Sequence, residues 1–409
     1  MNLSASLFSA SMPMLRPFSH SLAERATAES IFFSLSDGEF TGMGEGLPRR
    51  YVTGETIETA MRALSCLDIG RLSENLDWSS FPAFIARLEA LDVAGNLAPG
   101  LRLPAAAAAV ELAALDLAGR RFFAPLSRVA GYLGLRSGIA HSNPGPFPIS
   151  RVLDFNPDPA AFSALGFARH VKIKVGADFE ADSAMLRAVR ATMGAEATLS
   201  VDANQAWSFG EAVRRTRVWE SFRIDWFEEP LIGGSWAELA RLRAETGMRV
   251  MLDEAAAPPK ADRELDYLKA CDCINIRISR CGGLIAAIRQ ADWAVERGLG
   301  FQLGIHVGEM GPAWAAGRHF MTGISGALAY EAGQADRWFA SQVFDPPPCV
   351  DRSTHEGWPL SNAGLGIDPT AGLYAIARNG REWHPLRGKW ESAGNLDHCA
   401  NGSRGVLRA

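Results

Sequence analysis

Three carboxylates stand at the ends of three successive apolar runs, and their types and spacing point to metal chemistry. They are Asp202 in LSVDANQ, Glu228 in IDWFEEP and Asp253 in RVMLDE, separated by 26 and 25 residues. A strand, a helix and the return loops occupy about this length, so each carboxylate is expected at the same level on the next parallel strand. Two Asp and one Glu without His or thiolate favour Mg²⁺ among the divalent cations.

Charged and titratable residues continue this period on both sides of the three carboxylates. The further members follow at steps of 24 to 29 residues, with Lys174 before the carboxylates and Arg277, His306 and Glu331 after them. Unpaired charge in a protein core costs on the order of several kcal/mol, so these residue types do not fit core positions. They are predicted to line the opening of an active site.

Two lysines enter the predicted site from one strand. In VKIKVG, Lys172 and Lys174 are two residues apart, so both side chains lie on the same face of the strand. Burial beside a like charge and a divalent cation lowers the pKa of a lysine, which makes its amine a usable base near neutral pH. One lysine is therefore a candidate base and the other an electrostatic helper.

Length and composition indicate a two-domain protein that acts on a small molecule. The chain has 409 residues, and 47% of them are hydrophobic. This length exceeds the roughly 250 residues of a single barrel and leaves room for a second domain. A net charge of −5 does not favour nucleic acid as a partner, and no apolar stretch is long enough to predict a membrane span. The absence of a signal-like N-terminus and of a paired cysteine framework favours a cytoplasmic location.

Three segments are distinguished along the chain. Residues 1–133 alternate short extended runs with helical stretches and are predicted to form an α+β domain. Residues 134–345 repeat the strand–helix period with Gly or Pro at most strand exits, which predicts a parallel barrel. Residues 346–409 begin with three prolines, continue as an irregular segment and end in a polar tail.

As an ordered set, the motifs resemble those of the enolase superfamily, in its muconate-lactonizing or mandelate-racemase branch. The resemblance covers roughly residues 15–375, and it rests on AAAVELAALDLAGRRFFAPLSRVAG, the KIK of Lys172 and Lys174, VDANQAW, WFEEP, LDE, NIRISRCGG and a late GLG. It implies a fold of the α/β class, a (β/α)7β TIM-like barrel with an N-terminal α+β capping domain that the C-terminal segment completes.

The resemblance also implies roles for individual residues. It places the Mg²⁺ ligands on Asp202, Glu228 and Asp253, and the general base on Lys174 with Lys172 assisting; the neighbouring Asn204 has a supporting role and is a candidate for substrate contact. The shared half-reaction is removal of the proton α to a substrate carboxylate, with the enediolate stabilised by the metal. An α-proton of this kind is so weakly acidic that cationic stabilisation is needed.

Arg277 departs from the family pattern. Lactonizing and epimerizing relatives resemble each other in having a second lysine at this strand end, whereas a guanidinium cannot serve as a base. His306 is the remaining candidate on the opposite face of the substrate, but a cationic neighbour lowers the pKa of a histidine. Glu309 resembles the seventh-strand acid of lactonizing relatives, and it could equally cap the following helix.

Three functions remain open for a small carboxylic acid substrate. The first is a syn reaction that uses Lys174 alone, of the muconate-cycloisomerase or dehydratase type. The second is a racemase or epimerase with Lys174 and His306 on opposite faces. The third is a non-catalytic relative that binds a small molecule. The resemblance further suggests a homo-oligomer.

Two N-terminal segments are candidates for contact with the far end of the substrate. RPFSHSLAER contains His20, and GLPRRYVTGE contains Arg49, Arg50 and Tyr51. Both combine cations with turn residues, and loops of this kind above a rigid site often set specificity. They suggest that the substrate has a second anionic or polar end; the alternative is that these cations pair with surface acids.

Overall fold

The protein is described by a computed structural model that covers residues 1–20, 23–91, 93, 97, 102–154, 165, 168–331, 333–348, 350–351 and 353–393. In this part of the chain, both ends contribute to one five-stranded antiparallel sheet with the order β17-β16-β1-β2-β3. Its strands are β1 (Ser4–His20), β2 (Ala23–Ser36), β3 (Thr41–Gly46), β16 (Ala377–His384) and β17 (Lys389–Ser392). Residues predicted as the start of a polar tail therefore form strands, because β16 pairs antiparallel with β1, from Ala5 opposite Trp383 to Ala10 opposite Ala377, with one register shift between Leu7 and Ser9.

Among the described N-terminal residues, five helices accompany this sheet: α1 (Ile57–Leu64), α2 (Ile69–Asn75), α3 (Phe81–Ala90), α4 (Pro104–Arg121) and α5 (Val129–Tyr132). The long helix α4 packs directly on β3, and three glycines on one face of β3 permit the close approach. A Cβ at Gly44 would lie 1.9 Å from the carbonyl oxygen of Ala109, and Gly42 and Gly46 meet α4 in the same way. Any larger side chain on this face would push the helix off the sheet.

Seven parallel strands form the second sheet, in sequence order from β5 to β11. They are β5 (Arg151–Leu153), β6 (His170–Lys174), β7 (Thr198–Asp202), β8 (Trp226–Glu228), β9 (Val250–Leu252), β10 (Cys273–Ile276) and β11 (Gly300–Leu303). Tyr330 closes the barrel, because it bridges to Leu303 on one side and its carbonyl accepts the Ser150 N–H at 2.6 Å on the other.

Helices connect these strands and cover the sheet: α6 (Phe179–Met193), α7 (Phe209–Val218), α8 (Trp236–Thr246), α9 (Glu264–Ala270), α10 (Ile278–Cys281), α11 (Leu284–Glu296) and α12 (Pro312–Gly323). Shorter pieces complete the described fold: β4 (Phe147–Pro148), β12 (Phe344–Asp345), β13 (Val350–Asp351), β14 (Glu356–Gly357), β15 (Asp368–Pro369) and α13 (Ala371–Ala375). None of the helices in the described residues is long and apolar enough to cross a membrane.

A buried carboxylate of the first domain binds the barrel. Glu45 on β3 accepts the backbone N–H groups of Met310 at 2.8 Å, Gly311 at 3.0 Å and Ala313 at 3.2 Å, at the start of α12. These N–H groups have no partner within the helix, so the carboxylate satisfies them and meets the positive end of the helix dipole. The first domain is thereby held above the carboxyl ends of the barrel strands, and the predicted barrel with a capping domain is confirmed.

Candidate active site

The carboxyl ends of the barrel strands and the capping domain enclose one cavity of about 760 Å³, part of it open to solvent. Nine of the residues predicted from the sequence line it: Lys172, Lys174, Asp202, Asn204, Arg277, His306, Glu331, Arg49 and Tyr51. The opening predicted from the period of charged residues therefore corresponds to a real cavity between the two domains.

Strand register places the first members of the series side by side. Lys174 pairs with Asp202, and Asp202 pairs with Glu228, so these three residues lie at one level of the barrel. Glu228 pairs with Met251, however, which puts Asp253 two residues further along its strand. The expectation of one common level is therefore wrong for Asp253, because tilted barrel strands are staggered relative to their neighbours.

Lys172 lies at the centre of the buried carboxylates. Its Nζ is 2.9 Å from Glu228 Oε2, 3.1 Å from Glu331 Oε1 and 3.3 Å from Asp202 Oδ2. Burial acts to lower the pKa of Lys172, but the three carboxylates outweigh burial and raise it. Lys172 is therefore a permanent cation and unsuited to accept a proton.

Glu228 is fully buried and receives further hydrogen bonds from the layer of side chains beneath it. Asn275 Nδ2 donates to Glu228 Oε1 at 3.0 Å, and Gln302 Nε2 donates to Glu228 Oε2 at 3.4 Å. Burial raises the pKa of Glu228 to about 7, and Lys172 opposes that rise. The carboxylate is fixed in orientation by donors from three different strands.

Lys174 has different surroundings from Lys172, although both side chains leave the same strand. Its Nζ is 3.5 Å from Asp154 Oδ1, and Asp154 Oδ2 accepts a hydrogen bond from Arg337 Nη2 at 2.9 Å. Burial lowers the pKa of Lys174, while Asp154 and Asp202 act in the opposite direction. Lys174 is thus the lysine of the pair whose pKa is lowered, which is the direction that a general base requires.

Asp253 contacts two arginines. Arg277 donates to its Oδ2, and Arg280 Nη1 lies 2.7 Å from its Oδ1. The backbone N–H of Asp253 donates to Glu229 Oε1 at 2.7 Å, and Glu229 has a left-handed φ of 40° at the exit of β8. Two guanidinium groups and a neighbouring carboxylate therefore define where this side chain stands.

The donors required for a divalent cation are present, but they are engaged with cations of the protein. Among the described residues, no three His, Cys, Asp or Glu side chains are grouped in a way that could hold a metal ion. The reason is that Lys172 lies between Asp202 and Glu228, and the arginines hold Asp253.

The electrostatics nevertheless fit Mg²⁺. Burial, together with neighbouring carboxylates, raises the pKa values of Glu228, Glu229 and Glu254 to about 7. Glu254 Oε2 is buried without a hydrogen-bond partner in the described part of the chain. An all-oxygen donor set with surplus negative charge suits a hard dication, and Asp202, Glu228 and Asp253 provide oxygen donors of this kind.

His306 and Glu309 occupy one loop after β11 but face different surroundings. His306 is 2% exposed, lines the cavity, and neither of its ring nitrogens has a hydrogen-bond partner in the described residues. Burial and then the positive charge of Arg277 hold its pKa well below the usual range. Glu309 is not among the cavity-lining residues; its Oε1 accepts the backbone N–H of His306 at 3.0 Å, and burial raises its pKa to about 8.

Only some of the N-terminal candidates for substrate contact line the cavity. Arg49 is buried and lines the cavity, with Nη1 bonded to the carbonyl oxygens of Glu29 and Pro48, both at 2.8 Å. Tyr51 also lines the cavity, and Arg25 Nη2 donates to its hydroxyl at 2.7 Å. Arg50 is exposed and does not line the cavity. The side chain of His20 lies outside the described residues.

Sequence reasoning did not identify several residues of this cavity. Asp154 follows β5 in RVLD, only 20 residues before Lys174. This spacing is shorter than the steps of 24 to 29 residues that identified the other charged residues. Arg337 belongs to a short 3₁₀ turn, Ala335–Arg337, and had no motif to mark it. Glu331 was reached by the period, and it lines the cavity beside Lys172.

Known proteins resemble this chain over most of its length. A family model described as enolase C-terminal domain-like matches residues 160–372, just over half of the 409 residues. An N-succinyl-L-Arg/Lys racemase of Bacillus cereus is 28% identical over 321 residues, covering 76% of this chain and 82% of the relative. The crystal structure of N-succinyl Arg/Lys racemase from that organism has a TM-score of 0.77 at 24% identity, covering 94% of this chain and all of that one.

Two further comparisons concern epimerases. An L-Ala-D/L-Glu epimerase of Clostridium acetobutylicum is 28% identical over 299 residues, covering 72% of this chain and 79% of the relative. The crystal structure of a dipeptide epimerase of Cytophaga hutchinsonii, complexed with Mg and the dipeptide D-Ala-L-Val, has a TM-score of 0.74 at 20% identity and covers 93% of this chain and all of that one.

Proposed function

This chain belongs to the mandelate racemase and muconate lactonizing branch of the enolase superfamily, and on that premise we propose that it is a racemase or epimerase of a small carboxylic acid. The proposed reaction begins with removal of the proton α to the carboxylate by Lys174. The observation that supports this most directly is the contrast between the two lysines, since three carboxylates hold Lys172 as a cation whereas burial lowers the pKa of Lys174.

Lys174 would accept the α-proton on Nζ as a neutral amine. Lys172 would remain an ammonium and stabilise the negative charge that develops on the substrate carboxylate during the transfer. Asp202, Glu228 and Asp253 are the proposed ligands of Mg²⁺, which would supply positive charge to the same carboxylate when it is bound. The cap, held to the barrel by Glu45, would limit the access of water to the cavity.

The opposite face of the substrate is proposed to meet His306. Lys174 is the last residue of β6 and His306 follows β11, and these two strands are not neighbours in the sheet. Both residues line the cavity, so they are proposed to reach the substrate from different sides. Return of a proton from the His306 side would invert the α-carbon, which is the outcome named for the curated relatives.

A syn reaction is the second candidate, and Arg277 is the observation that favours it. A guanidinium cannot remove or readily return a proton, and it lowers the pKa of His306, which reduces the protonated form that inversion requires. If His306 does not act, Lys174 alone would serve a dehydration or a cycloisomerisation.

The substrate is further proposed to have an anionic group distant from the reacting carboxylate. Arg49 and Arg25 border the cavity from the cap, and none of their described contacts is with a carboxylate. Arg49 Nη2 is buried without a hydrogen-bond partner in the described residues. A carboxylate of the substrate would satisfy this donor with a charge-assisted hydrogen bond.

Deuterium exchange tests the proposal. The protein is incubated in D₂O with Mg²⁺ and a panel of N-acyl amino acids, dipeptides and hydroxy acids, and the α-proton and the stereochemistry are followed by NMR and chiral chromatography. Exchange with inversion is expected. Exchange with retention, or formation of a dehydrated or lactone product, selects the syn reaction instead. The enzymatic proposal fails if no acid exchanges and removal of Mg²⁺ by EDTA changes nothing.

A further inference from the structure

Both carboxylate oxygens of Asp253 are held by guanidinium groups. Arg277 donates to Oδ2, and Arg280 lies 2.7 Å from Oδ1. The Asp253 side chain is 1% exposed, so no solvent replaces either partner. A divalent cation that binds Asp253 therefore meets an oxygen that already accepts a hydrogen bond from a guanidinium.

The two arginines differ in how firmly they are held. Arg280 also donates to the backbone oxygens of Asp253 and Asn275, so it is tied to β9 and β10 by main-chain contacts. Arg277 lines the cavity, and its Nε is buried without a hydrogen-bond partner in the described residues. The Arg277–Asp253 contact is thus the one that can open.

We propose that Arg277 competes with the divalent cation for Oδ2 of Asp253 and makes this metal centre a weak one. The inference rests on the proposed function, because it takes Asp253 as a ligand of Mg²⁺. A guanidinium is a fixed, delocalised cation with several donors, so it satisfies a buried carboxylate well and must be desolvated or re-paired when the metal arrives. Arg277 is in this sense a positioning residue, which acts through Asp253.

Removal of Arg277 should leave Asp253 in place. Arg280 continues to hold Oδ1, and Glu229 continues to accept the backbone N–H of Asp253 at 2.7 Å. Removal of the Arg277 side chain therefore frees Oδ2 of Asp253 for the metal, while the other contacts of Asp253 are kept. An apolar side chain of similar reach removes both the charge and the hydrogen bonds, which makes Arg277→Met the informative change.

Titration calorimetry with Mg²⁺ alone tests the inference on the full chain. Arg277→Met is expected to bind Mg²⁺ about tenfold more tightly than the wild type or better, because one competing charge is removed at contact distance. Arg49→Met is the matched control: it also removes a cation from the cavity, but Arg49 bonds to carbonyl oxygens and not to a predicted ligand. The control should change the dissociation constant by less than about threefold.

Every outcome bears on the inference. Equal or weaker Mg²⁺ binding by Arg277→Met overturns it, and so does an equal gain in both variants, which would reflect only the general charge of the cavity. If the wild type and Arg277→Met both fail to bind Mg²⁺ while circular dichroism shows intact folds, the metal centre of the proposed function is rejected together with the inference. If the wild type binds and only the gain is missing, the centre stands and the inference fails.

Discussion

Asp154 Oδ1 lies 3.5 Å from Lys174 Nζ, and the other oxygen of Asp154 accepts a hydrogen bond from Arg337. One carboxylate is therefore shared between the proposed base and Arg337, which also lines the cavity. The negative charge of Asp154 opposes the effect of burial and raises the pKa of Lys174, while the positive charge of Arg337 lowers it.

Asp154→Asn is expected to move the pH dependence of the reaction to lower pH. Lys174 must be neutral to accept a proton, so activity rises with pH as Lys174 loses its proton. Loss of the Asp154 charge lowers the pKa of Lys174, and the rising limb of kcat/KM against pH should shift towards acid. The profile is measured with a substrate identified by α-proton exchange.

Arg337→Gln serves as the control of opposite sign. It removes a positive charge that lowers the pKa of Lys174, so the same limb should move towards alkaline pH. Shifts in the same direction for both variants, or no shift in either, would show that another group produces the limb.

Lys174→Met is expected to abolish α-proton exchange. Positioned general bases contribute roughly 10² to 10⁴ in rate, so exchange should fall by at least about a hundredfold. Mg²⁺ binding, measured by calorimetry, should be retained, because the side chain of Lys174 pairs with Asp154, which is not one of the predicted ligands. Persistence of exchange would place the base elsewhere.

The period of charged residues was sufficient to predict the barrel and the cavity. A parallel barrel brings the carboxyl ends of its strands to one face, so residue type plus spacing identified Lys174, Asp202 and Glu228, which the strand register aligns. Resemblance supplied the family, which the comparisons confirm. The position of a residue along a strand can be predicted from the local sequence, without knowledge of the loop conformations.

The contact partners of individual side chains could not be predicted from the spacing of residues. Asp253 looks equivalent to Asp202 in sequence, but stagger between β8 and β9 moves it two residues further and brings it to Arg277 and Arg280. Asp154 lies off the period, and Arg50 lies beside Arg49 yet points to solvent. Such contacts depend on tertiary distances that spacing along the chain does not encode.

Lys172→Met is expected to destabilise the protein by about 3–5 kcal/mol in the absence of metal, because it leaves buried carboxylates without their cation. Glu228, Glu331 and Asp202 all contact Lys172, whose side chain is 4% exposed. Urea unfolding monitored by circular dichroism measures the loss. Lys389→Met removes a surface partner of Glu391 and should change the unfolding free energy little, since the Lys389 side chain is 61% exposed.

Arg49→Met is expected to raise KM for acids with a second, distal carboxylate by roughly tenfold or more, the usual value of a hydrogen bond to a charged group. Its Nη2 is the buried donor that the substrate is proposed to satisfy. A matched substrate in which an amide replaces the distal carboxylate should show a much smaller change. Equal effects on both substrates would mean that Arg49 supports the cap rather than the distal group.

Glu111 provides a pH test at the junction between the cap and the barrel. It lies on α4, its Oε1 accepts the Ile285 N–H at 2.9 Å, and burial raises its pKa from 4.5 to about 8. Between these values the folded protein binds a proton on Glu111 that the unfolded chain has lost, so the contribution of Glu111 to stability is largest at low pH and falls as the pH rises through this window. Glu111→Gln removes the titration, and its unfolding free energy should fall less steeply between pH 5 and pH 8, about the range bounded by the two pKa values. Glu39→Gln, at an exposed position, should leave the slope unchanged; an unchanged slope in Glu111→Gln as well would show that Glu111 is ionised in the folded protein.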